Sequence, residues 1–161
     1  VLTKVNSASS LKKIKDTLNK INPEAPIVES VHQALGFYNI NHPDELLPLN
    51  YLDGKRAGLF SGIADPDSFT DLITGTGVKI GLDLRFGDHH NYSEEDLSGI
   101  TAKFKKENLG IILTTEKDAA RISETKLKLF KGYQVLVLRI SLKIIKNEEQ
   151  FFNRLLSLYS F

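Results

Sequence analysis

The sequence predicts an α/β fold organised around a mostly parallel sheet, and three observations lead there. Through the middle of the chain, short apolar runs of strand character alternate with segments of helix length, the pattern of strands joined by right-handed helical crossovers. Those helical segments open on capping residues such as Asp65 and Ser93, which marks them as helices. Apolar residues make up 41% and charged residues 25% of the 161 positions, the balance of a chain that folds by burial into one or two compact units.

Taken in order, the chain opens on Val1-Leu2-Thr3-Lys4, the end of an apolar strand, and contains no methionine; we therefore expect an excised or processed product. Ser9 or Ser10 can cap a helix whose apolar positions Leu11, Ile14, Leu18 and Ile21 share one face, and Asn22-Pro23 stops it. Ile27, Val28, Val31, Leu35, Phe37 and Ile40 make Pro26 to Ile40 extended, with Gly36 as a bulge or bend, and a polar loop with Pro43 and Pro48 follows. Next come strand Arg56 to Ser61, helix Asp67 to Thr74, strand Val78 to Phe86, helix Glu94 to Glu107 and strand Ile111 to Thr114. The run Tyr133 to Ile145 is a long strand, and Asn147 can cap a final helix carrying Leu155, Leu156, Leu158 and Tyr159. Pairing that long strand with Pro26 to Ile40 gives a two-stranded linker, with the first and last helices on one side and the middle units forming a domain on the other.

Composition narrows function by exclusion. Without cysteine there is no disulfide framework, thiolate nucleophile or Cys-based zinc site, which is compatible with an intracellular origin. The longest apolar runs, such as Val135 to Leu138, fall far short of the roughly 20 residues that span a bilayer. A formal charge of +1 from 21 basic and 20 acidic residues does not announce a nucleic-acid partner; Lys12, Lys13, Lys15 and Lys20 read as the solvated face of the first helix.

Ligands of parallel sheets collect beyond the carboxyl ends of the strands, and three motifs fall there. In Phe86-Gly87-Asp88-His89-His90-Asn91-Tyr92, a histidine that exchanges protons near neutral pH stands beside a carboxylate able to orient it; a solvated loop in which Asp88 bonds nearby amides is equally consistent with the local sequence. Gly62-Ile63-Ala64-Asp65-Pro66 turns a strand into a helix start whose amides can hold a phosphate, although capping alone explains Asp65 and Pro66. In Thr114-Thr115-Glu116-Lys117-Asp118, capping accounts for Thr115 and Asp118 but not for Lys117, which can meet phosphate oxygens as a point charge. Gly75-Thr76-Gly77-Val78-Lys79 lacks P-loop spacing and precedes a strand, so it is a turn, and no other stretch supplies G-x-x-x-x-G-K-[ST].

In this order, Val1-Leu2-Thr3-Lys4, Leu59-Phe60-Ser61-Gly62-Ile63-Ala64-Asp65-Pro66-Asp67-Ser68-Phe69, Asp88-His89-His90-Asn91-Tyr92 and Thr114-Thr115-Glu116-Lys117-Asp118 resemble the carboxy-terminal half of the tetraacyldisaccharide 4'-kinase family of lipid A synthesis, over most of the chain. The resemblance implies transfer of the γ-phosphoryl of ATP, with Mg2+, to the 4'-hydroxyl of a lipid disaccharide 1-phosphate at the cytoplasmic face of the bacterial inner membrane. It also implies a three-layer α/β/α Rossmann-like domain with a mostly parallel sheet, a two-stranded antiparallel linker and remnants of a P-loop-type domain. On that view residues 1–23 are a remnant of the nucleotide-binding domain, 24–48 the first linker strand and loop, 49–131 the carboxy-terminal α/β domain, 132–146 the second linker strand, and 147–161 a helix packing toward the nucleotide-binding domain.

The family's P-loop, magnesium-binding acids and general-base aspartate belong to its amino-terminal half, as does attachment to the membrane surface, so the chain alone is expected to be inactive. His89 matches the histidine that supports the catalytic aspartate from the opposite domain, and Asp88 precedes it; His90 falls at a more variable position. Thr3 and Lys4 match a strand end near the nucleotide, Gly62 and Lys117 are the expected substrate contacts, and no residue is assigned to a metal. Two other readings compete. A metal-dependent phosphoesterase of the Asp-His-His type needs further aspartates and histidines around manganese or magnesium, and His32 and His42 sit in unlike segments. A non-catalytic module binding a lipid sugar or closing on a partner differs from the kinase only in whether the missing half belongs to the same polypeptide.

Overall fold

The computed structural model describes residues 1–5 and 11–159, so the expected caps Ser9 and Ser10 lie outside the described residues. The chain divides into two compact units, one made of Val1–Gln33 with Ser141–Phe161 and the other of Ala34–Ile140. Among the described residues six strands form one sheet: β1 (Glu29–Asn39), β2 (His42–Leu47), β3 (Arg56–Ser61), β4 (Lys79–Arg85), β5 (Ile111–Thr115) and β6 (Gln134–Lys146), in the order β2-β1-β6-β5-β3-β4. The pairs β3/β4, β3/β5 and β5/β6 are parallel, and β1/β2 is an antiparallel hairpin. Ile40 N–H donates to the Val135 carbonyl past one end of β1, and Asn147 Nδ2 donates to the Ile27 carbonyl before the other; the neighbours β1 and β6 therefore run in opposite directions.

In the unit Ala34–Ile140 the sheet is covered on both faces, because successive residues of a strand point to opposite sides. Leu59, Leu113 and Leu136 meet Phe69 and Ile73 of α2 (Pro66–Thr74). Their neighbours Phe60, Ile112 and Val135 meet Leu97, Ile100 and Phe104 of α3 (Glu94–Lys106). The result is three layers, α/β/α. Strand β4 lies on one side of β3 and β5 on the other, so the strand order reverses at β3, and the carboxyl ends of β3 and β5 are the place where such sheets bind ligands.

Two local expectations change. The segment expected as a polar loop contains strand β2, which pairs Leu47 with Phe37 and Leu46 with Tyr38; it is an edge strand, where Pro43 removes no needed ladder donor. Gly36 is not the bulge. The register shifts between Tyr38 and Asn39, and Gly36 is instead a close approach, since a Cβ there would collide with the Leu47 carbonyl oxygen.

In the other unit, Leu2 bridges Glu29 in parallel, and α1 (Leu11–Ile21) and α6 (Glu148–Ser157) bury no residue. Lys15 is not merely solvated: its ammonium lies 2.6 Å from Glu29 and, as hydrogen-bond partner, holds that carboxyl below the usual carboxylate range against the opposing effect of burial. Asn147 stands at the start of α6 in the left-handed region, but its side chain makes no cap; it serves the Ile27 carbonyl instead.

Candidate functional site

Three loops leave the carboxyl ends of β3, β4 and β5, and one buried carboxylate ties them together. Asp118 lies on α4 (Glu116–Ala119), a single turn opened by Thr115, whose hydroxyl accepts from the Asp118 N–H and donates to its Oδ2 at 2.6 Å. That reciprocal pair fixes the side chain with no exposure at all. Oδ1 accepts from the Gly62 N–H after β3 and from the Tyr92 hydroxyl after β4, both at 3.0 Å. Arg121, three residues further on, adds Nη1 at 3.5 Å. Burial first, and then the facing Asp118 carboxylate, push the Tyr92 phenol far up, so it stays a donor.

Gly62 is tightly surrounded here. A Cβ would come within 3.0 Å of both His90 Cβ and the Tyr92 hydroxyl oxygen and 3.2 Å of Asp118 Oδ1. Its amide is engaged by Asp118, and its carbonyl accepts from the His89 N–H and from Arg121 Nη1, each at 3.1 Å. Among the described groups, then, the Gly62 backbone acts as the anchor of the loop that follows β4.

That loop presents Asp88 and His89. His89 adopts a left-handed backbone, φ 59°, held by its N–H, which donates to Gly62 and also to Asp88 Oδ1 at 3.0 Å. The ring is 76% exposed, with Nε2 3.7 Å from Asp88 Oδ2 and Nδ1 2.9 Å from Arg121 Nη2. His90 turns the other way. Its Nε2 lies 3.0 Å from Asp96 Oδ2 and its ring packs on Phe86 and Tyr92. Asp96 also completes the capping box of α3 with Ser93; the Ser93 amide, then His90, then the Ser93 hydroxyl hold its carboxyl down at about 2.

The structure thus brings Gly62, Asp88 and His89 together. Lys117 is exposed on α4, while Glu116 accepts from Arg139 Nε and the Ile140 N–H at the middle of β6. Thr3 is exposed and Lys4 half-buried, with φ 56°, in the other unit. Sequence reading missed Arg121 and the part played by Asp118; the i, i+3 spacing of these two charges on one helical turn was the available signal. It also missed Lys126 on the short α5 (Glu124–Leu127), whose ammonium donates to the Tyr92 carbonyl at 2.6 Å. Among the described residues no group of three or more His, Asp or Glu side chains is arranged to hold a metal ion, and no helix is long and apolar enough to cross a membrane.

Comparison with known proteins gives one answer. The profile of the tetraacyldisaccharide-1-P 4'-kinase family matches residues 4–160. The tetraacyldisaccharide 4'-kinase of Elusimicrobium minutum is 35% identical over 153 residues, covering 94% of this chain and 39% of its own length. That of Halothermothrix orenii is 30% identical, covering 85% of this chain and again 39% of its own. The crystal structure of the "apo" form of LpxK from Aquifex aeolicus in complex with ATP aligns over 89% of this chain and 44% of that one, at 23% identity and a TM-score of 0.49. The chain therefore spans about two fifths of the length of the curated relatives it matches. It belongs to the tetraacyldisaccharide-1-P 4'-kinase family.

Proposed function

We propose that this chain supplies the Asp88–His89 loop to a kinase that transfers the γ-phosphoryl of ATP to the 4'-hydroxyl of a tetraacyldisaccharide 1-phosphate in lipid A synthesis. The observation that carries the reading is the placement of Asp88 and His89, in a chain of this family, on a loop bonded to Gly62 and Arg121 at the sheet's switch point. Phosphoryl transfer asks a protein mainly for positioning and electrostatic stabilisation, and a rigidly anchored histidine supplies positioning. His89 holds an aspartate of the rest of the protein in an arrangement that accepts the proton of the attacking sugar hydroxyl, and Asp88 holds the loop by bonding the His89 amide.

The described residues do not by themselves make a site for ATP with Mg2+. The only glycine-rich candidate, Gly75-Thr76-Gly77, closes α2 and leads into β4, and the described residues hold no metal cluster. We therefore assign nucleotide and magnesium to the part of the protein outside this chain, with Thr3 and Lys4 bordering the nucleotide. Lys117, exposed beside the site, faces a substrate phosphate, and the reaction takes place at the cytoplasmic face of the inner membrane. The test is ATP-dependent phosphorylation of a lipid disaccharide 1-phosphate by the full-length protein. His89→Ala should lower kcat by about 100-fold or more with folding retained. Unchanged turnover would remove His89 from the mechanism, and an inert wild type would remove the kinase reading.

A further inference from the structure

We infer that Arg121 is a positioning residue: it fixes which ring nitrogen of His89 carries the proton, leaving Nε2–H as the one donor of that ring. This rests on the kinase reading for its purpose, but its geometry stands on this unit alone.

A guanidinium has five N–H donors and no acceptor, and it stays protonated in proteins. Arg121 Nη2 lies 2.9 Å from His89 Nδ1, so a hydrogen bond there requires the Nδ1 lone pair to accept. A ring that accepts at Nδ1 is neutral and carries its proton on Nε2. The side of the ring away from Arg121 then presents one N–H, with Asp88 Oδ2 3.7 Å off, beyond direct hydrogen-bond distance; this N–H suits a carboxylate or phosphoryl oxygen and cannot itself take a proton from the sugar. The division of labour follows: an aspartate held by Nε2–H is the base, and His89 is its support.

The guanidinium is held for this task. Its planar fork makes the position of one nitrogen dictate the other, and Nη1 is anchored on the Gly62 carbonyl at 3.1 Å and near Asp118 Oδ1 at 3.5 Å. Asp118 has no exposure and Arg121 is largely covered, whereas the His89 ring is 76% exposed. An exposed imidazole without such a partner samples rotamers and both tautomers; here its backbone is tied to the same Gly62 carbonyl that anchors Arg121. One carbonyl oxygen thus registers both the histidine and the group that orients it.

The experiment is long-range 1H–15N correlation on full-length protein labelled with 15N-histidine at neutral pH, the His89 signals being assigned by their loss in His89→Ala. The expected wild-type pattern is a single neutral tautomer protonated at Nε2. Arg121→Met should give a mixture that includes the Nδ1–H form, and should lower kcat about 10- to 100-fold, by analogy with the loss when the partner that orients a metal-bound histidine is removed, with KM nearly unchanged. Arg121→Lys keeps a donor but not the fork that spans the Gly62 carbonyl and His89 Nδ1, so it should recover only part of either loss. A wild-type Nδ1–H tautomer overturns the inference without any variant, and so does an Arg121→Met protein with the wild-type ring pattern. The ring pattern needs no turnover: the expected tautomer in a protein inert toward lipid disaccharides would refute the kinase reading and leave the positioning role of Arg121 standing.

Discussion

The two units of this chain use the same kind of sequence pattern to opposite effect. In Ala34–Ile140, apolar positions alternate along strands or recur along helices and are buried: Leu59, Phe60, Leu113 and Phe104 are wholly covered. In the other unit the apolar stripe of α1 has helical spacing just as regular, yet Ile14, Leu18 and Ile21 are exposed and α6 leaves Phe152, Leu155 and Leu156 in the open. Periodicity states which side of an element is apolar. Whether that side contributes stability depends on what covers it.

The largest effect should come from the polar centre of the well-buried unit. Asp118→Ala removes the acceptor shared by Gly62, Tyr92 and Arg121 and leaves buried donors without a partner. Breaking a buried charged network in this way costs roughly 3–5 kcal/mol, read as a lowered midpoint of urea unfolding. A loss below about 1 kcal/mol would mean that the three loops hold together without Asp118.

An intermediate effect belongs to the start of α3, at the surface of the same unit. Ser93→Ala deletes the cap hydroxyl and should cost about 1 kcal/mol. The pH dependence carries a definite sign. Asp96 is held at about 2 against its ordinary 3.8, so its contribution is fully present above pH 4 or so and is lost as pH falls through about 2. Acid titration of stability should therefore be shallower between about pH 4 and pH 2 in Asp96→Asn than in the wild type; equal slopes would show that the bonds to Ser93 and His90 do not favour the ionised form.

What the sequence showed and what it hid divide along range. Strands β3 to β5 and helices α2 and α3 were legible because alternation and caps are local signals, and Asp65 and Ser93 cap as expected. Strand β2 was hidden because His42-Pro43-Asp44-Glu45 is exposed on both faces of an edge strand and carries no alternation. At the site, Asp88 and His89 stood out by their place at a strand end. The bond from Gly62 to Asp118 joins residues 56 apart and that from Arg121 to His89 residues 32 apart, and no local pattern announces such pairs. Charged side chains show their role only once the fold supplies their partners.

The smallest expected effect tests the contrast itself. Ile21 ends α1 at 76% exposure, so Ile21→Ala in this chain should change stability by no more than about 0.5 kcal/mol, as surface substitutions do. Alanine even has the better helix propensity. The same substitution in the full-length protein separates two possibilities. If further polypeptide covers the stripe of α1, Ile21 becomes a core residue there and its truncation costs about 2–5 kcal/mol. If the stripe stays open, both proteins respond alike and the regular spacing of α1 serves helix formation alone. A large loss in this chain by itself would break the contrast, because it would mean that Ile21 already finds apolar partners within the unit Val1–Gln33 and Ser141–Phe161, and that the two units differ in degree of exposure rather than in how they are stabilised.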